Sequence, residues 1–218
     1  MPGPTPSSGE TSSSPRLERL LENVRSCDHC RQNPSGPPLP HPPRPVLVAS
    51  PVAKICIIGQ APGTRVHASG KPFTDPSGNR LRDWLGVSAE QFYDSRNFAI
   101  IPMGFCFPGL NDKGADLPPR KECAEKWHEE LFELMPQIRL KLLIGMYAQR
   151  RYLGKRRKKT LSETVRCWRD YIEEEGRAVE LPLPHPSWRN NAWLRKNPFF
   201  EHDVVPFLRT EIKTLLGS

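Results

Sequence analysis

Two short stretches carry most of the residues able to do chemistry, Gly59-Gln60-Ala61-Pro62-Gly63 and His185-Pro186-Ser187-Trp188-Arg189-Asn190. In the first, Gly59 and Gly63 let the chain turn tightly and bring bare backbone N–H groups against a ligand, while Pro62 stiffens the turn. In the second, His185 can give a proton or a hydrogen bond to a developing anion. Ser187 and Arg189 are natural phosphate contacts, and Trp188 can wedge into a base stack. Each stretch also has a plain reading, as an ordinary Gly-Pro strand exit and as a proline-bounded loop with a solvated histidine. No Walker or dinucleotide pattern accompanies the glycines.

The cysteines add a second kind of chemistry. Cys27-Asp-His-Cys30 is a CxxC pair, and Cys106 and Cys123 form a wider pair around FPGLNDKGADLPPRKE. Four thiolates suit tetrahedral zinc or a [4Fe-4S] cluster in charge and softness, and the long second spacing fits the cluster better than a zinc ribbon. His29 is a rival ligand inside the CxxC. Cys56, within an apolar run, and Cys167, beside Trp168, read as core residues.

Composition narrows the partners. A net charge of +8 and a pI near 9.4 favour a polyanion, nucleic acid first and an anionic membrane second. Seven of the ten residues from Arg150 to Lys159 are cationic, a solvated surface or a phosphate-gripping loop with Arg156 and Arg157 at its centre. No stretch is long and apolar enough to span a bilayer, and residues 1–15 lack the apolar segment of a signal peptide. The expectation is a cytoplasmic protein without a membrane partner, in a reducing compartment where disulfides are not formed.

The elements that must position these groups follow from periodicity. Residues 1–15 are Pro, Ser, Gly and Thr with little apolar content and read as a disordered tail; residues 16–218 read as one domain. Leu17, Leu20, Leu21 and Val24 recur at helical spacing, and a Pro-rich passage from Pro34 to Pro51 follows in extended form. Strands are expected at Lys54–Ile58, Asn97–Met103, Leu140–Ile144 and Val179–Leu183. Helices are expected from a Ser77 cap through Leu81, Trp84 and Leu85, over Arg120–Met135, Tyr147–Leu153 and Thr160–Glu174, and over Asp203–Leu216. Strands alternating with helices give a three-layer α/β/α sandwich around a mainly parallel sheet. Ligands in such folds bind beyond the carboxyl ends of the strands, where both motifs lie.

Taken together, these motifs resemble the uracil-DNA glycosylase superfamily, most closely its iron-sulfur (family 4-like) branch, in order and spacing from Arg16 to the C-terminus. GQAPG resembles that branch's GEAPG, GKPFTDPSGNRL its GRPFVGxAGxxL, CFPG its CxPPGN, and HPSWRN the second motif, HPAxxR or HPSxxN. The resemblance implies a [4Fe-4S] cluster on Cys27, Cys30, Cys106 and Cys123. It also implies an enzyme that flips a damaged base into a pocket and hydrolyses its N-glycosidic bond. Phe73 would stack on the base, and His185 would donate to the base oxygen with support from the GQAPG backbone, Gly59, Gln60 and Ala61. Gln60 stands where the branch carries Glu, so it can position water but not act as an ionised base. Asp75 resembles the acid of the family 5-like GDxSG stretch and is the candidate for positioning water and supporting the sugar cation; its plain reading is an Asx turn before Pro76. Pro102 occupies the place of the Asn that reads the uracil edge, four positions before the third cysteine. Asn111 is the nearest substitute amide.

The expectation is therefore a monomeric, monofunctional DNA glycosylase acting on a deaminated base, uracil first, since neither motif holds a lysine able to form a Schiff base. Ser187, Trp188, Arg189, Arg156 and Arg157 would hold the DNA. The alternative is an iron-sulfur DNA-binding protein that recognises lesions with little or no catalysis, and more distantly an enzyme of free nucleosides.

Overall fold

The computed structural model describes residues 14–33, 36–172 and 178–217. Most of the expected N-terminal tail, Pro34 and Ser35 of the extended passage and the end of the helix expected to reach Glu174 lie outside the described residues.

The chain begins with α1 (Pro15–Arg25), which buries Leu17, Leu20, Leu21 and Val24, and the single turn α2 (His29–Gln32). Then come β1 (Ile55–Ile58), α3 (Thr64–Ser69), α4 (Pro76–Leu85), α5 (Ala89–Tyr93) and β2 (Phe98–Ile100). The second half holds α6 (Lys121–Glu133), β3 (Leu140–Ile144), α7 (Gly145–Leu153), α8 (Leu161–Arg166), β4 (Val179–Leu183), α9 (Asn191–Lys196) and α10 (Val205–Leu216). No helix among the described residues is long and apolar enough to cross a membrane.

All four strands pair in parallel, in the order β2-β1-β3-β4, with Ile55 opposite both Phe98 and Leu140, and Leu140 opposite Val179. The sheet divides the apolar residues into two cores. Cys56, Ile58, Ala99 and Leu143 face α1 and α6, with Leu21 and Leu131 among their neighbours. Ile55, Ile57, Phe98 and Leu142 face α4, α5 and α10, against Leu81, Phe92 and Leu208. A strand covered on both sides buries both sets of its side chains, which is why β1 reads as an unbroken apolar run rather than an alternating one. Each of these fully buried aliphatic side chains contributes about 1.5–3 kcal/mol. The α/β/α sandwich is thus the observed fold. Before β1, the extended passage lays Val48 antiparallel against Ile100 and covers the outer edge of β2.

Several boundaries differ from expectation for local reasons. Asp75, not Ser77, caps α4: its Oδ1 accepts the Gly78 N–H at 3.2 Å, with Pro76 in the first turn where its missing donor costs nothing. The second strand ends at Ile100, and residues 101–104 continue irregularly beside the exit of β1. The helix expected from Thr160 is α8 followed by a 3₁₀ turn over Trp168–Tyr171, whose eclipsed i and i+3 positions bury both Trp168 and Tyr171. Cys167 sits at that break, half-buried rather than in the core, whereas Cys56 is fully buried in β1. The short helices α2, α3, α5 and α9 carry too few turns to show a period in the sequence.

Candidate active site

The turn after β1, the loop after β2 and the loop after β4 meet at the carboxyl edge of the sheet around an open cleft of about 590 Å³. Gln60, Gly63, Asp75, Ser77, His185, Ser187, Trp188 and Arg189 line it. A smaller annex of about 100 Å³ opens from it, bounded by Gly59, Gln60, Ala61, Phe73, Asp75, Pro102 and His185. The fold therefore brings together the first motif, the Phe73-to-Ser77 segment and the second motif, which lie far apart in the chain.

His185 is the best-defined group. Its Nδ1 accepts the backbone N–H of Ser187 at 3.2 Å, so Nδ1 holds a lone pair and the ring proton belongs to Nε2. Burial lowers the pKa of His185, against the opposing pull of Asp75 and Asp116, so the neutral donor form is favoured. The loop itself is fixed: Asn190 donates to the His185 carbonyl at 2.7 Å, Arg80 to the Ser187 carbonyl at 3.1 Å, and Ser187 Oγ accepts from Arg189 N–H at 3.2 Å. Trp188 is left 69% exposed at the mouth of the cleft.

The opposite wall is the β1 exit turn. The carbonyls of Gly59 and Gln60 accept the N–H groups of Met103 and Gly104, both at 2.9 Å, while no backbone acceptor among the described residues takes the Gln60 or Ala61 N–H. The segment 102–104 thus ties up the acceptors of the turn and leaves donors available to a ligand.

Phe73 closes the annex with its backbone at φ 55, a left-handed conformation that a bulky residue adopts only under constraint and that costs about 1–3 kcal/mol. Its carbonyl is held by Tyr93 Oη at 3.0 Å and Arg82 at 3.3 Å, and its ring meets Phe92 edge-on at 5.9 Å. Gly78 makes the close approach possible, since a Cβ there would stand 1.8 Å from the Phe73 carbonyl oxygen. Asp75 caps α4 with Oδ1, as its plain reading expects, and it also lines both cavities.

This arrangement, a small annex lined by an aromatic ring, a histidine whose pKa burial lowers, a carboxylate and a turn with two unclaimed backbone N–H groups, can stabilise an anion as it leaves a cationic neighbour. A sequence model of the Uracil DNA glycosylase superfamily matches residues 48–209 of the chain. The chain belongs to the uracil DNA glycosylase superfamily. Membership assigns it, at the general level, to the hydrolases that act on DNA as glycosylases. The matched span holds both motifs, Phe73, Asp75, Cys106 and Cys123, and begins after Cys27 and Cys30.

Other expected residues are placed elsewhere. Asn111 lines neither cavity; its side-chain oxygen accepts the N–H groups of Lys113 and Ala115, both at 3.0 Å, and tightens a small hairpin. The far arm of that hairpin brings in a residue that the sequence did not single out: Asp116 lines both cavities and would stand 3.7 Å from a Cβ at Gly63. No local signal marks Asp116, because only the pairing of Leu110 with Asp116 returns this loop to the cleft. Arg156 forms an ion pair with Glu180 near the amino end of β4, about 16 Å of strand from His185, and Arg157 is its neighbour. Neither reaches the cleft.

None of the six cysteines is in a disulfide. Cys30 and Cys123 share a hydrogen bond that lowers the Cys30 pKa to about 7 and raises that of Cys123. Burial pushes Cys106 up to about 12, with charge on Cys30 and Cys27 adding to it. The four thiols therefore lie within electrostatic reach of one another, three of them buried, although among the described residues no three Cys, His, Asp or Glu side chains are arranged to hold an ion. The donor types suit a thiolate-bound group, but the side chains as placed do not surround one.

Proposed function

We propose that the protein is a monofunctional base-excision glycosylase that flips a deaminated base, uracil first, into the annex and hydrolyses its N-glycosidic bond to leave an abasic site. The observation that carries this reading is the His185 tautomer, with its one proton on Nε2 at the wall of an annex supplied with free backbone donors. As the bond between the sugar C1′ and the base nitrogen breaks, the electron pair leaves with the base. The Nε2–H of His185 and the Gln60 and Ala61 N–H groups stabilise the resulting anion. Phe73 stacks on the extruded ring. On the sugar side the Asp75 carboxylate stabilises the cationic C1′ and orients the water that adds there, taking up its proton. Gln60 helps to place that water. Neither motif contains a lysine that could form a Schiff base. Pro102 offers the base no side-chain amide, so selection among deaminated bases falls to annex shape and the remaining donors and acceptors. Ser187, Trp188 and Arg189 hold the flanking strand.

Cys27, Cys30, Cys106 and Cys123 would hold a [4Fe-4S] cluster, with zinc as the alternative, and the group would brace α2 and α6 as a structural staple. A brown protein with broad absorbance supports the cluster, and a colourless protein with stoichiometric zinc replaces it.

The test is base release from single-lesion oligonucleotides carrying uracil, hypoxanthine, xanthine or 5-hydroxymethyluracil, single- and double-stranded, read by alkaline cleavage. Asp75→Asn keeps an acceptor for the α4 cap and removes only the charge, so it is expected to slow release by about 10²-fold or more without weakening DNA binding. His185→Ala is expected to do the same through the leaving base. Undiminished rates in both variants refute the mechanism, and intact DNA binding without release of any base favours the noncatalytic reading.

A further inference from the structure

We propose that His128 is a positioning residue for the anion-stabilising turn, acting through the carbonyl of Pro102; the inference rests on the glycosylase reading of the cleft. His128 lies on α6, outside both cavities, and is 1% exposed. Its Nε2 stands 3.1 Å from the Pro102 carbonyl and its Nδ1 2.6 Å from Tyr152 Oη. A carbonyl can only accept, so Nε2 carries the proton and Nδ1 must take the hydroxyl proton of Tyr152. A single directed chain runs from Tyr152 through His128 to Pro102. Burial keeps the imidazole neutral, which the chain requires. Phe105, stacked on the ring at 5.6 Å, and Tyr152 fix its plane.

Pro102 is where this chain of contacts meets the chemistry. The next two N–H groups, of Met103 and Gly104, occupy the carbonyls of Gly59 and Gln60, and those contacts hold the turn whose residues line the annex and whose Gln60 and Ala61 N–H groups have no backbone acceptor among the described residues. His128 thus anchors one side of a segment whose other side orients the donors that meet the departing base. Losing the anchor should tilt the donors without moving a group that touches substrate. Such an effect falls on the transition state, where negative charge is largest.

The test compares release of uracil and of 5-fluorouracil from the same oligonucleotide by the wild type, His128→Phe, His128→Gln and Tyr152→Phe. Fluorine acidifies the departing nitrogen, so 5-fluorouracil depends less on the donors. For His128→Phe, kcat for uracil should fall about tenfold and that for 5-fluorouracil about twofold, with KM little changed. His128→Gln, whose amide can still donate to Pro102, should recover most of the loss, and Tyr152→Phe should show the same selectivity in milder form. Hydrogen exchange of the peptide spanning 101–106 should quicken in His128→Phe alone of the two His128 variants. Equal losses for both bases, a loss confined to KM, or unchanged exchange overturns the proposal. A wild type that releases neither base overturns the underlying reading and the inference with it, and is recognised without any variant. Should His128→Phe fail to fold, Tyr152→Phe carries the same comparison, in its milder form, with His128→Gln as the retained-donor control.

Discussion

At the residue scale, two histidines have their protons placed by the backbone, one by a donor and one by an acceptor. A backbone N–H fixes Nδ1 of His185 as an acceptor and leaves its proton on Nε2, in a residue that lines the annex; a backbone carbonyl takes the proton of His128 inside the core. Burial lowers both pKa values, that of His128 to about 4. The unfolded chain binds a proton at His128 below its ordinary pKa near ~6.5, whereas the folded chain resists protonation down to about 4. Stability from this group is complete above pH ~6.5 and is lost as pH falls, by about 3 kcal/mol at most. Urea unfolding at pH 7.5 and 4.5 should show the drop, and His128→Gln should flatten it. A drop of the same size in the variant would assign it to other groups. His185 works in the same direction, which keeps the donor form populated at a lower pH than an ordinary histidine would.

At the scale of elements, α4 is the piece on which the site depends most. Its N-cap is Asp75, its first turn packs under Phe73, and its buried face, Leu81, Trp84 and Leu85, seats it on the sheet. Gly78→Ala adds one methyl group, which meets the Phe73 carbonyl oxygen at 1.8 Å. Either Phe73 leaves its left-handed backbone or α4 shifts. The expected result is a stability loss of about 1–3 kcal/mol by denaturant titration and a fall in base release larger than the unfolded fraction explains. Activity unchanged once unfolding is corrected for would mean that Phe73 does not need its present seat. The existence of α4 was legible from Leu81, Trp84 and Leu85. Its true cap was not, because Asp75 and Ser77 are equally good acceptors in sequence and only the direction of the chain leaving Phe73 chooses between them.

At the scale of the whole molecule, the net charge of +8 is not spread evenly over the uses the sequence suggests. Arg189 stands exposed at the mouth of the cleft, stacked near Trp188 at 5.8 Å, while Arg156 is paired with Glu180 and Lys158 with Asp170 at 2.7 Å. The basic tract is therefore partly neutralised by its own fold. Arg189→Ala should weaken DNA binding and reduce the slope of log affinity against log salt by about one, whereas Arg156→Ala should leave that slope unchanged and lower stability. Fluorescence anisotropy at several salt concentrations reads both, and a reduced slope for Arg156→Ala would restore the tract to the DNA interface.

The sequence by itself determined the layers, since runs such as Ile55–Ile58 and Leu142–Ile144 are apolar at every position only when both faces are covered. It also determined the two motifs at the carboxyl edge, because Gly59, Pro62, Gly63 and His185 are unusual strand exits whose residue types already name their chemistry. Tertiary structure alone decided which tautomer His185 holds and that Asn111 braces a hairpin rather than lining the annex. It alone brought Asp116 into the cleft and turned Arg156 away from it. For Asn111, Asp116 and Arg156 the physical reason is shared: the pairing of a loop or a partner distant in the chain fixes the outcome, and no local propensity records where that partner will stand. For His185 the deciding N–H is only two residues on, in Ser187, and the loop that brings it to Nδ1 is held from a distance by Arg80.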